Sequence, residues 1–149
     1  MRAVIQRVTS AAVTVDGRLV GHIGRGLVIL VGVSNGDCVP DVDYIVNKVR
    51  GLRLFGHDGH EFSRSLADVD GEALVVSQFT LCGDCRRGTR PSFSLAAPPE
   101  EAEPRYEELV RKLIDSGTRV ETGVFRATME LELINDGPVT VVLDSSRMF

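Results

Sequence analysis

Tryptophan is absent from this sequence, and aromatic residues make up only 5% of it, six phenylalanines and two tyrosines. A platform that stacks successive bases of a long single strand needs repeated aromatic faces, so that class of activity is disfavoured. Basic charge is not in excess either: 17 Lys and Arg stand against 21 Asp and Glu, a net charge of −4. Extensive duplex binding, in which each neutralised phosphate needs a cation, is therefore disfavoured as well. A local basic patch gripping one end of an RNA is still allowed. Cysteine is scarce and odd in number, Cys38, Cys82 and Cys85, which makes no disulfide framework. Met1-Arg2-Ala3-Val4-Ile5 opens directly into an alternating pattern with no apolar leader. The longest strongly apolar run, Gly26 to Val33, is too short to span a bilayer. A cytoplasmic protein with reduced thiols and no membrane partner is expected.

What is present fits one compact unit. The 149 residues are 43% hydrophobic, and a chain of this size buries roughly 70% of its unfolded surface, enough for a core without staples. A single domain over residues 1–149 is expected. Ala3, Ile5 and Val15 fall in alternating stretches around Asp16-Gly17, a strong hairpin signal. Leu27 to Val31 is continuously apolar, as in a strand covered on both faces. Val42, Ile45, Val46, Val49 and Leu52 then follow helical spacing, predicting an amphipathic helix from Pro40 to about Arg53. Ala73 to Leu81 reads as a strand and Cys82 to Ser92 as a polar, basic loop. After Pro98-Pro99, a second helix is predicted with Tyr106, Leu109, Val110, Leu113 and Ile114 as its stripe and Gly117 at its end. Met129, Leu131 and Leu133 alternate with Glu130 and Glu132, a half-solvated strand. Asn135 to Pro138 reads as a turn before a last strand, Val139 to Leu143. The order predicts an α+β fold, mainly antiparallel sheet with two principal helices.

The familiar catalytic templates are missing. There is no Gly-x-Ser-x-Gly elbow, Walker loop or His-Glu-x-x-His pair. His22, His57 and His60 fall in segments read as loops or turns. Cys82-Gly83-Asp84-Cys85 and His57-Asp58-Gly59-His60 could together supply four zinc ligands. Two unrelated loops explain them better, and neither metal nor cofactor is expected. Ser77-Gln78-Phe79-Thr80 ends an apolar strand and runs into the basic loop, where polar groups can edge a pocket. On strand alternation, Ser77 and Phe79 face one way, Gln78 and Thr80 the other. Neither hydroxyl has an evident base. Asn135-Asp136-Gly137-Pro138-Val139-Thr140 is the second candidate. Its glycine permits close backbone approach and its proline stiffens the chain.

Ser77-Gln78-Phe79-Thr80 and Asn135-x-Gly137-Pro138-x-Thr140 resemble the two signature motifs of the D-aminoacyl-tRNA deacylases. The opening Met1 to Val8, Gly88-x-Arg90-Pro91-Ser92-Phe93 and Thr122-Gly123-Val124-Phe125 match that family in order and spacing. The resemblance implies a β/β/α domain working as a homodimer with active sites at the interface. It implies hydrolysis of the ester of D-aminoacyl-tRNA, with glycyl-tRNA also accepted. The 3′-terminal adenosine would enter a pocket edged by Ser77, Gln78, Phe79 and Thr80, with Phe125 and Met129 on the substrate side. Gly137-Pro138 would be cis and inserted into the partner's site, where its carbonyls meet the α-amino group and exclude an L side chain. Asn135 and Thr140 belong to that motif, and Arg7 would hold the turn in place.

No protein base accompanies Thr80. Direct attack by water is expected, with backbone N–H groups near Phe79 and Thr80 at the oxyanion, and the family resemblance implies that the RNA's own terminal 2′-hydroxyl is enlisted. Arg86, Arg87 and Arg90 are candidates for the phosphates of the acceptor end. Three departures stand out. Arg126 follows Phe125 where the family has glycine, Cys82 replaces its usual tyrosine, and His60-Glu61-Phe62 replaces Lys-Met-Asn. A non-catalytic nucleic-acid-binding role, a property linked to some eukaryotic relatives, is the alternative of a different class.

Overall fold

Asp16 and Gly17 carry positive φ angles of 50° and 75°, the backbone that a two-residue hairpin turn requires. In the computed structural model, which describes residues 1–149, they reverse β1 (Arg2–Val15) into β2 (Arg18–Ile23), followed by β3 (Gly26–Gly32). The first half of β1 pairs antiparallel with β3 and the second half with β2. β8 (Glu130–Asp144) runs antiparallel along the other edge of β1 for nearly its whole length. β6 (Glu72–Ser77) and β7 (Arg119–Thr122) complete the sheet, in the order β2-β1-β3-β6-β7.

The fold is α+β and mainly antiparallel, but the β3–β6 and β6–β7 pairings are parallel. Each of these crossovers carries one helix, α1 (Val39–Gly51) and α2 (Pro99–Asp115), as parallel neighbours require. Both helices lie on one face of the sheet. Val42, Ile45, Val46 and Val49 of α1 are buried there as their spacing predicts, with Tyr106, Leu109 and Leu113 of α2. Ile114, placed in the same stripe by sequence, is exposed, because it falls at the last turn, past the sheet-facing row. Pro104 lies inside α2. An internal proline costs about 3 kcal/mol, but burying each of three large side chains contributes about 1.5–3 kcal/mol, so packing wins.

The opposite face has its own core. Val28, Leu74 and Val76 meet Ala11, Val13 and Ile23, with Met129, Leu131 and Leu133 packed alongside. The far parts of β1, β2 and β8 thus form a second β layer. β2 lies across β6 and β7 so closely that a Cβ on Gly21 would come within 2.7 Å of the Thr122 carbonyl oxygen. The layering is β/β/α. Histidines expected in loops lie on strands instead: His22 on β2, His57 on β4 (Phe55–His57) and His60 on β5 (His60–Arg64), all exposed. The segment Gly56 to His60 is a hairpin turning at Asp58-Gly59. No helix is long and apolar enough to cross a membrane.

Candidate active site

The strand expected to reach Leu81 stops at Ser77, and Phe79–Cys82 forms a 3-10 turn. Strand alternation therefore does not govern Gln78, Phe79 and Thr80, which correct the predicted facing. The Gln78 amide still bonds to the Val31 carbonyl at 2.7 Å, and the Leu81 N–H closes the turn onto the Gln78 carbonyl at 3.2 Å. In such a turn the first amides, those of Phe79 and Thr80, have no partner of its own backbone. The Gln78 carboxamide donates to Thr80 Oγ1. No base touches that hydroxyl.

This turn rims a cavity of about 620 Å³ at the carboxyl end of β3 and β6, within the roughly 300–1,000 Å³ of small-molecule sites. Val31, Val76, Ser77, Gln78 and Phe79 form one wall. Ala102 and Tyr106 of α2 form the second, and Phe125, Arg126, Met129 and Leu131 the third. All three layers meet here. Tyr106 hydroxyl donates to the Val75 carbonyl at 2.8 Å, which Gly123 N–H also reaches at 3.2 Å. Burial pushes the Tyr106 phenol well above its ordinary value, so it is a fixed neutral donor and no proton acceptor. At the rim Phe79 and Phe93 meet edge to face, ring centres 5.2 Å apart, and both are exposed.

A second cluster lies elsewhere. Asn135 to Pro138, predicted as a turn between two strands, is instead an excursion within β8. Val8 faces Asn135, Gln6 faces Thr140, and Arg7 alone spans the residues between. Arg7 Nε donates to the Asp136 carbonyl at 3.0 Å, and its Nη1 reaches the Leu54 carbonyl at 2.6 Å. Asn135 Oδ1 accepts from Val139 N–H at 2.9 Å, and Asn135 Nδ2 donates to Thr140 Oγ1 at 3.1 Å. The excursion is thus clamped at both ends, with Gly137 and Pro138 exposed at its tip and the bond between them cis. Gly137 sits at φ 131°, and a Cβ there would come within 2.8 Å of Val139 Cγ2 and 3.0 Å of Arg7 Nη2. Arg7 lies six residues from Val13, the β1 partner of Leu131, or roughly 20 Å of strand at about 3.3 Å per residue. Within this chain, the tip does not line the cavity.

The model of the family described as D-Tyr-tRNA(Tyr) deacylase matches residues 4–144. The chain belongs to that family. The D-aminoacyl-tRNA deacylase of Desulfitobacterium hafniense (strain DSM 10664 / DCB-2) is 54% identical over 149 residues, covering 100% of both chains. That of Thermotoga petrophila is 52% identical with the same coverage. The solved structure of a protein named c-Myc DNA Unwinding Element Binding Protein is 40% identical, with a TM-score of 0.91 over 97% of this chain and 98% of the other. A probable eukaryotic D-amino acid tRNA deacylase shares the fold at 18% identity, with a TM-score of 0.81 over 95% and 97%.

In this member of the deacylase family, the basic loop is exposed and unequal. Arg86 is held by Asp84 in a two-point contact, Nε–Oδ1 2.9 Å and Nη2–Oδ2 2.7 Å, and that contact keeps the Asp84 carboxyl well below the usual carboxylate range. Arg87 and Arg90 stand free in solvent. Cys82 is buried, its thiol 3.3 Å from Ser34 Oγ, whereas Cys85 is exposed, so the C-x-x-C does not present a joined pair. No group of three or more His, Cys, Asp or Glu side chains is placed to hold a metal ion. Sequence reasoning missed the part played by Tyr106 and Ala102, since helical spacing assigns Tyr106 to the core. A hydroxyl on an otherwise apolar stripe was the one available signal.

Proposed function

We propose that this protein removes D-amino acids from tRNA by hydrolysing the ester that joins them to the 3′-terminal ribose, with residues 1–149 acting as one domain. The observation that carries this reading is the full-length relationship to D-aminoacyl-tRNA deacylases at 54% identity. In the reaction, water attacks the ester carbonyl carbon and the ribose oxygen leaves with a proton, giving free D-amino acid and tRNA. The unclaimed amides of Phe79 and Thr80 are suited to the developing oxyanion, where one such donor is typically worth about 3–4 kcal/mol. The cavity wall has one charged residue, Arg126, and no carboxylate or imidazole, which leaves proton transfer to water and the RNA's 2′-hydroxyl.

Chirality is read by backbone. Gly137 and Pro138 of a second protomer close the cavity and leave no space for an L side chain, and a difference of about 4 kcal/mol gives roughly thousandfold selection. The clamping of this tip by Arg7 and Asn135, and its exposure in one protomer, support its use in trans. So does the cross-strand row Val142, Val4 and Leu30 on the face away from the helices, with Val142 51% exposed, since an apolar sheet surface of this kind is suited to a homodimer. A filter that senses only side-chain position also passes glycine. Arg87 and Arg90 stand free to contact acceptor-end phosphates.

The test is paired deacylation of one tRNA charged with D- and with L-tyrosine. Rapid loss of the D-ester alone is expected, and equal rates would reject the chiral filter. The 40% identical relative of solved structure is named for binding DNA. For this chain the net charge of −4 disfavours duplex binding as the main role, and weak, salt-labile binding of duplex DNA is expected.

A further inference from the structure

Arg126 is the one charged residue on the cavity wall. Its backbone sits at φ 67°, a left-handed conformation that glycine adopts freely and that is uncommon for any other residue outside Asn and Asp. The side chain is exposed and, like those of Arg87 and Arg90, makes no ion pair or hydrogen bond within the protein. A guanidinium held at the mouth of an otherwise neutral pocket, on a backbone that disfavours it, has no structural task inside the chain. It is placed to meet an anion that arrives with the ligand. The cavity below is lined chiefly by apolar residues, so the anion belongs outside it, at the rim where Arg126 is exposed.

We propose that Arg126 is a substrate-positioning residue that binds a backbone phosphate of the RNA next to the nucleotide in the pocket. The inference rests on the deacylase reading above and adds a contact to it. A planar guanidinium can take two phosphate oxygens at once, so the contact orients the strand as well as attracting it. On a protein carrying net negative charge, one such cation beside the pocket also offsets the long-range repulsion of a polyanion locally.

The experiment compares wild type, Arg126→Gly and Arg126→Lys on D-tyrosyl-tRNA and on the D-tyrosyl ester of adenosine, which has no phosphate, across a range of KCl concentrations. Glycine suits φ 67°, so Arg126→Gly is expected to fold. For Arg126→Gly the ratio of kcat/KM on tRNA to that on the adenosine ester is expected to fall about tenfold. The slope of log kcat/KM on tRNA against log salt should become shallower by about 0.7, the value for one contact on a single strand. Arg126→Lys should restore the slope but only part of the ratio. An unchanged ratio, whether both substrates hold or both weaken alike, overturns the phosphate contact while the deacylase reading stands. Wild type inert on both D-esters would instead remove that reading and this inference with it.

Discussion

Thr80 carries a hydroxyl beside two unclaimed amides, and in another setting that would mark a nucleophile. Here its side-chain neighbour is the Gln78 carboxamide, which donates to Oγ1. A donated hydrogen bond lowers the electron density that an attacking oxygen needs, and a carboxamide cannot take a proton. The amides belong to the backbone, so they survive truncation of the side chain. Thr80→Ala should therefore keep kcat within about tenfold of wild type, whereas loss of a true nucleophile costs several orders of magnitude, up to roughly a millionfold. Single-turnover deacylation of D-tyrosyl-tRNA by the folded variant measures this. A fall of four orders or more would make Thr80 the attacking group and refute direct attack by water.

The elements most legible in the sequence were those whose pattern matched their burial. Val42, Ile45, Val46 and Val49 carry the period of α1, and Leu27 to Ile29 carry that of a strand covered on both faces. The elements that were less legible are those fixed by partners distant in sequence. β6 ends at Ser77 because, past its last bond to Val31, the chain folds into a 3-10 turn closed by the Leu81 N–H on the Gln78 carbonyl, and nothing local announces that. β8 reads as two strands and a turn because its excursion is defined only by the register against β1.

The start of α1 shows the same dependence on distant partners. Asp41 takes bonds from the Cys38 amide at 2.8 Å and from Ser145 Oγ at 2.6 Å, beyond the end of β8. Met1 ammonium donates to the same Ser145 hydroxyl at 2.7 Å and to Asp37 at 2.6 Å. Burial raises the Asp41 carboxyl, but the bonds from Ser145 and Cys38 and the nearby ammonium outweigh it and bring its pKa down to about 2. With the folded value below the unfolded one, the unfolded chain takes up the proton first as pH falls. The stability from Asp41 is complete above roughly pH 4 and is lost as pH falls through about 2. In thermal melts between those limits, Asp41→Asn should lose less Tm than wild type. Parallel curves would show that this carboxylate does not link α1 to the chain ends.

At the scale of the whole molecule, the cavity and the Gly137-Pro138 tip are parts of one site only if two protomers combine them. In a two-fold dimer each cavity would then receive the tip of the other chain. Two variants separate this from a site complete within one chain. Ala102→Trp fills the cavity from α2, which Ala102 lines, and leaves the tip intact. Gly137→Ala leaves the cavity intact and displaces the tip, because its Cβ would stand 2.8 Å from Val139 Cγ2 and its φ is 131°. Each homodimer is expected to lose selective D-ester hydrolysis. When the two are unfolded together and refolded as an equal mixture, half of the dimers are mixed. One site in each mixed dimer joins an unaltered cavity to an unaltered tip, so about a quarter of wild-type activity should return. A site assembled within one chain has a defect in every copy, and mixing restores nothing. Activity of the refolded mixture no higher than the mean of the two variants, with mixed dimers confirmed by mass, would place the chiral filter within a single protomer.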